Sequence, residues 1–338
     1  VRNCPAAAGG FSNDTVGAKR QIRGFRRNCG SELAYALHAR LLHTEVTLTS
    51  SPEASPPTET DAPGASREAI RAHYDLSDDF FRLWLDPEMV YSAALFEDGD
   101  DLARAQMRKL DHHIDAARAR GASRVLDVGC GWGALLRRLV NTAGVKEAVG
   151  LTLSASQAAT IRQQPHPGIT VREESWREHK PASPYDAVIS IGAFEHFARP
   201  GLSTEEKLAA YREFFDFCHA SLKPGGRLSL QTIAYVGSRA ELPPFIANEV
   251  FRESELPFIH EPLIAAADAF EVVALRNDRE HYDRTLRMWE RNLVAREAEA
   301  VALVGADAVA HFHRYLKISA MGFRTSAICL LRMSFVRR

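Results

Sequence analysis

The sequence predicts an α/β fold: a doubly wound, mostly parallel sheet preceded by helices and interrupted late by a helical insertion. Three observations carry this. Strand-like runs (SRVLDVG, EAVGLTL, ITVREES, YDAVISIG, GRLSLQTIA, FEVVALRND) alternate with helix-like ones (ALLRRLVNTA, SASQAATIRQ, KLAAYREFFDFCHASL), which is how a helix-covered parallel sheet reads in sequence. The first strand runs directly into GCGWG, a glycine-rich turn that opens a helix. Finally, ELPPFIANEVFRESELPFIHEPL mixes four prolines with apolar residues between the last two strands, the composition of a cap inserted over the carboxyl edge of the sheet.

The elements follow in order. Residues 1 to about 30 are basic and Gly/Ala-rich without the apolar core of a secretory signal, ELAYALHARLLHTEV forms one short helix, and residues 49–66 are a Pro/Ser/Thr-rich linker. Residues 1–65 are therefore expected to be a disordered extension. Residues 66–120 form a helical segment. REAIRAHYDLSDDFFRLWL reads as two short helices, the second started by Ser77 and the acids after it, and DLARAQMRKLDHHIDAARARG is an amphipathic helix ending at Gly121. The sheet domain spans residues 121–338, with the cap at about 236–266 and a KPGG turn leading into the fifth strand.

Totals exclude several classes. With 42 basic against 43 acidic residues there is no overall electrostatic case for nucleic acid or an anionic membrane. No apolar run approaches the roughly 20 residues of an integral membrane helix. The five cysteines are scattered and contain no CxxC pair, which argues against a disulfide framework or a metal site and for a reducing, cytoplasmic location. The expected partner is a small-molecule or lipid substrate; a homo-oligomer is compatible with these totals.

The chemistry starts at VLDVGCGWG. Asp127 ends the strand, and Gly129, Gly131 and Gly133 allow a tight turn that brings backbone N–H groups near a ligand. Dinucleotide sites space their glycines G-x-G-x-x-G and place an acid after the second strand. Here the spacing is G-x-G-x-G, the acid precedes the glycines, and the second strand ends in GLTLSASQ. This resembles the S-adenosylmethionine site of class I methyltransferases. An acid also stands in the apolar turn IGAFEHF, where an ionised Glu195 is costly unless satisfied.

HYDLSDDFFRLWLDPEMVYS, LDVGCGWG, GLTLSASQ, IGAFEHF, KPGG and HYDRTLRMW occur in the order of the cyclopropane-fatty-acid synthase and mycolic-acid methyltransferase family, from about residue 67 to the end. The chain resembles that family. The resemblance implies a Rossmann-like seven-stranded sheet and S-adenosylmethionine as cofactor, with S-adenosylhomocysteine as product. It implies that Tyr91 and Ser92 cover the methionine part, that Gly129, Gly131 and Gly192 bring backbone close to the cofactor beside Asp127, that Thr152 and Gln157 sit by the ribose, and that Trp176 neighbours adenine. It also implies that Glu195 faces the transferred methyl group, with Tyr282 and His196 beside it, and that His73, Tyr74 and Gln231 lie on the substrate side.

Two departures from the family matter most, beside Arg177 standing where the family often has an acid after the tryptophan. The cysteine typical after the YS pair is Ala93, and the histidine typical of the strand after KPGG is Gln231. In the family these residues help to hold a bicarbonate ion as base, so the bicarbonate site is in doubt here. Arg252, Arg276, Arg279 and Arg284 read either as receivers of a phosphate or diphosphate head group, with Arg252 on the substrate side, or as a solvated face. The expected activity is C-methylation of an alkene-bearing apolar substrate, lipid or prenyl, through a carbocation, with Glu195 as base or cation stabiliser. The alternatives are a cyclopropane synthase with an altered base site, or N- or O-methylation of a small metabolite.

Overall fold

A computed structural model of the chain describes residues 63–74, 76–237, 245 and 253–338, without the side chains of 72–74. The expectations for the amino-terminal extension and for most of the cap lie outside the described residues.

Three helices precede the sheet: α1 (Arg67–Tyr74), α2 (Asp78–Trp84) and α3 (Leu102–Ala116). The Ser77 side chain accepts from the Phe80 N–H and so starts α2 where the sequence places it. There follow β1 (Arg124–Val128), α4 (Ala134–Asn141), β2 (Glu147–Thr152), α5 (Ala155–Arg162), β3 (Ile169–Glu173), β4 (Tyr185–Ile191), α6 (Thr204–Ser221) and β5 (Leu222–Tyr235). The rest of the described chain forms α7 (Glu261–Ala266), β6 (Phe270–Asn277), α8 (Arg279–Ala295), α9 (Glu297–Val304), α10 (Ala306–Arg324) and β7 (Ile328–Arg337).

The strands form one sheet in the order β3-β2-β1-β4-β5-β7-β6. β7 runs antiparallel to both its neighbours, and the other pairings are parallel. The central strands are buried on both faces, which is why β1 and β4 read as continuous apolar runs. Val125, Ala187 and Ile189 pack with Leu110, Ile114 and Leu136 on one side. Leu126, Val128 and Val188 pack with Tyr211, Phe214 and Phe215 of α6 on the other. A third core, around Phe80, Phe81, Trp84, Trp289 and Phe312, joins α2 to α8 and α10.

Two features differ from the sequence expectation. KPGG is not a turn ahead of the fifth strand but a bulge within it: pairing with β4 jumps from Tyr185↔Leu222 to Ala187↔Arg227. The seventh strand, ICLLRMSFVR, had no place in the alternating pattern. It lies between β5 and β6, so most of its residues are buried whichever face they point to.

Candidate active site

The carboxyl ends of β1, β2 and β4 open on a cavity of about 180 Å³, the place where open α/β sheets bind ligands. Tyr91, Ser92, Asp127, Gly129, Gly131, Thr152, Gln157, Trp176 and Gly192 all line it. Gly129 and Gly131 have φ of 84° and 53°. A Cβ on Gly129 would stand 2.6 Å from the Ala193 side chain, so glycine is what lets the loops after β1 and β4 touch. Ser154 caps α5 by accepting from the Gln157 N–H. Thr152 Oγ1 donates to Gln157 Oε1 at 2.7 Å, which turns the amide NH₂ toward the cavity. Trp176 is wedged against Phe197, Phe214 and Phe217. The Arg177 guanidinium lies 4.2 Å from its ring centre and pairs with Glu213.

Asp78, at the start of α2, fastens this wall. It accepts from Trp132 Nε1 at 2.9 Å, from Ser156 Oγ at 2.6 Å and from Thr160 Oγ1. Burial pushes its pKa up, but the hydrogen bonds from Ser156, Thr160 and Trp132 outweigh that and hold it below the usual aspartate value.

A smaller pocket of about 40 Å³ shares Tyr91, Ser92, Gly192 and His196 with the first and adds Glu195, Gln231, Ser254, Leu256, Tyr282 and Tyr315 to its wall. Glu195 sits in a single 3₁₀ turn, Phe194–His196, just after β4. It is 6 % exposed. Its Oε1 accepts from the Ile233 N–H at 2.6 Å, while Oε2 has no partner among the described residues. Burial raises the Glu195 pKa to about 7, against the pull of that N–H, of its own backbone N–H and of the Thr232 hydroxyl. The His196 ring bonds Ser254 Oγ through Nδ1 at 2.6 Å, and burial lowers its pKa to about 4, so it is neutral. Its carbonyl accepts from the Ala65 N–H. His196 thus ties the turn to the end of the cap and to the chain ahead of α1. Tyr282 packs on Phe323 at 4.5 Å, and Tyr315 is hydrogen-bonded to Tyr91.

Behind the pocket lies a buried cation that sequence reasoning missed. Arg332 of β7 stands opposite Gln231 of β5 and donates from Nε to Gln231 Oε1 at 2.8 Å. Its other nitrogens bind Asp278 and the carbonyls of Ala93 and Ala94. Both departures from the family pattern, Ala93 and Gln231, therefore meet at one guanidinium. Tyr315 and Lys109 were missed as well, because neither stands in a motif.

Arg252 and the side chains of His73 and Tyr74 lie outside the described residues. Arg276, Arg279 and Arg284 do not gather into a head-group site. Arg276 pairs with Asp278, Arg279 donates to the Phe323 carbonyl, and Arg284 donates to the Asp100 carbonyl and covers Phe96. None of the three lines either cavity. Among the described residues no group of three or more His, Cys, Asp or Glu side chains is placed to hold a metal ion, and no helix is long and apolar enough to cross a membrane.

This sheet order, with a glycine loop after β1 and a cavity across the strand ends, defines the class of S-adenosylmethionine-dependent methyltransferases. Residues 63–333 match the family profile of mycolic acid cyclopropane synthetases. The chain is 34% identical over 281 residues to cyclopropane mycolic acid synthase 1 of Mycobacterium tuberculosis, covering 77% of this chain and 93% of that protein. Cyclopropane mycolic acid synthase 3 of the same organism is 35% identical over 277 residues, 75% of this chain and 92% of that one. Two solved structures agree. The cyclopropane synthase MmaA2 from Mycobacterium tuberculosis superposes with a TM-score of 0.73 at 32% identity, over 81% of this chain and 99% of that one. The mycolic acid cyclopropane synthase CmaA1 complexed with S-adenosylhomocysteine and CTAB gives 0.72 at 33% identity, with the same coverage. The chain belongs to the mycolic acid cyclopropane synthetase family and is an S-adenosylmethionine-dependent enzyme of the methyltransferase type.

Proposed function

We propose that the chain methylates carbon in an alkene-bearing, apolar substrate of lipid or prenyl type, with Glu195 as base or cation stabiliser. The observation that carries this is Glu195 itself: a buried carboxyl with one oxygen unpartnered, in a pocket walled by tyrosines and joined to the glycine-loop cavity.

The residues that line the cavity fit the cofactor in their chemistry. Gln157 offers an amide donor for ribose hydroxyls, Thr152 orients it, Trp176 supplies a flat apolar face for adenine, and Gly129 and Gly131 let backbone approach. Bound there, S-adenosylmethionine supplies an electrophilic methyl group. If one alkene carbon took that methyl group, with S-adenosylhomocysteine as the leaving group, the neighbouring carbon would become a cation, which the Glu195 carboxylate and the faces of Tyr91, Tyr282 and Tyr315 would stabilise. Glu195 Oε2 then accepts the proton the cation must lose. A pKa of about 7 suits a group that is ionised before that step and protonated after it. His196, neutral and tied to Ser254, positions the turn. No step is assigned to bicarbonate, since Ala93 offers no polar side chain and Gln231 no charge.

The names of the relatives favour a second reading, in which the proton is lost so as to close a cyclopropane ring. The alkyl amphiphile in the CmaA1 complex supports a lipid acceptor in either case. The buried free thiols of Cys130, Cys218 and Cys329 support a reducing, cytoplasmic setting. The test is incubation with methyl-labelled S-adenosylmethionine and cis-alkenyl lipids or prenyl compounds. Labelled product from wild type and at least about a hundredfold slower formation by Glu195→Gln is expected, and upfield ring protons in its NMR spectrum identify cyclopropanation. Undiminished turnover by Glu195→Gln would overturn the role of Glu195.

A further inference from the structure

Gln231 of β5 lines the pocket that holds Glu195 and is 1 % exposed. Its Oε1 accepts from Arg332 Nε at 2.8 Å and lies 3.3 Å from His113 Nε2. An amide oxygen only accepts, so the His113 proton is on Nε2, and Nδ1 accepts from the Ser229 hydroxyl at 2.8 Å. Burial, with the charges of Arg332, Lys109 and His112 adding to it, holds the His113 pKa well below the usual histidine value, so the ring is neutral. The protons that join these four side chains are therefore all placed. The amide cannot turn over, because its NH₂ would then face two donors. Donors on the oxygen also polarise the amide and strengthen its N–H groups as donors. Yet the Gln231 NH₂ has no hydrogen-bond partner among the described residues, and no bond joins it to Glu195.

A fixed donor in a small pocket loses access to water when an apolar chain fills the space. Unless the chain brings an acceptor, the donor stays unpaired, which is costly. A site built around such a donor rejects analogues that lack the matching group. We propose that Gln231 determines substrate specificity: its NH₂ donates to an oxygen, hydroxyl, ether or carbonyl, that the substrate carries close to its double bond. This narrows the acceptor from any apolar alkene to an oxygenated one, and leaves Glu195 Oε2 for the reacting carbon. The proposal rests on the reading of this pocket as the place where an alkene is methylated.

The test uses two isomeric methyl ethers of one alkenyl chain, with the oxygen either beside the double bond or at the far end. An ether oxygen accepts and cannot donate, and the isomers lose nearly the same hydration, so the ratio of their affinities belongs to the site. Each is titrated calorimetrically into the full chain saturated with S-adenosylhomocysteine, so that no methyl group moves. Wild type is expected to bind the near isomer at least about tenfold more tightly. Gln231→Glu keeps an acceptor for Arg332 but presents no donor, and is expected to abolish or invert that ratio. Equal affinities in wild type would overturn the proposal whether or not the variant folds. So would a preference that survives in Gln231→Glu. Turnover with methyl-labelled S-adenosylmethionine separates the two layers: if neither ether nor the parent alkene takes up label, the alkene reading falls and the proposal with it. If label is taken up while the isomers bind alike, only the proposal falls.

Discussion

The Nε of Arg332 donates to Oε1 of Gln231 at 2.8 Å, and this one bond decides which way the amide faces. A guanidinium has only donors, so the oxygen must turn to it. The His113 ring, 3.3 Å from the same oxygen, adds to this. The Gln231 NH₂ is left on the side of the pocket that also holds Glu195. Gln231→Glu is expected to keep the fold, because its carboxylate matches Arg332. It places a second acid beside Glu195, which raises the Glu195 pKa further. The acid limb of the pH–rate profile should then move to higher pH. An unmoved limb would show that the two side chains do not interact.

Glu195 sets a pH dependence of its own. With its pKa raised to about 7, the carboxylate form grows as pH rises through 7, so turnover should climb there and level off above. Glu195→Gln should lower kcat by about 10²- to 10⁴-fold, the usual worth of a general base, with S-adenosylhomocysteine affinity unchanged. Stability has the opposite sign. A folded pKa above the unfolded value of 4.5 means that the contribution of Glu195 is full below 4.5 and is lost as pH rises toward 7. Urea unfolding of wild type and Glu195→Gln across that range checks it: only wild type should lose this increment.

Asp78 is the fastening between α2, the glycine loop and α5. Removing it in Asp78→Ala leaves Trp132 Nε1, Ser156 and Thr160 without their acceptor, which should cost about 2–4 kcal/mol. Its pKa is lowered, so its contribution is present above the unfolded value of 3.8 and is lost as pH falls through the lower folded value. Denaturant midpoints near pH 7 and below pH 3 should show the gap between wild type and Asp78→Ala closing in acid.

Gly129→Ala brings a Cβ to within 2.6 Å of the Ala193 side chain at a φ of 84°. The left-handed backbone alone costs about 1–2 kcal/mol, and the contact adds to it. S-adenosylhomocysteine affinity should fall at least about tenfold, and adding Ala193→Gly should restore part of it. No recovery in the double variant would show that the clash is not the cause.

How much of this was legible depends on the distance over which each feature is set. The strands β1 to β6, the Ser77 cap and the glycine turn are local patterns, fixed by side-chain period and by backbone sterics within a few residues. Of the nine motif residues expected around the cofactor, Asp127, Gly129, Gly131, Thr152, Trp176 and Gly192 line one cavity because they stand at or just after the ends of adjacent parallel strands, and strand ends can be read once the alternation is recognised; Tyr91 and Ser92 come from the segment between α2 and α3, and Gln157 from α5. Glu195 was found in the same way, as an acid in an apolar turn after β4.

What tertiary structure decided lies across strands and between helices. β7 is buried on both faces, so it shows neither alternation nor helical period, and without it the cross-strand partner of Gln231 could not be known. Nothing local to Arg332 marks it as the cation to which both the Ala93 carbonyl and the Gln231 side chain are bound. Lys109 is, by sequence, one more charged residue on the amphipathic helix α3. Only the packing of α3 on the sheet face, with Leu110 and Ile114 against Val125, Ala187 and Ile189, turns that position inward, where its Nζ bonds Ser92.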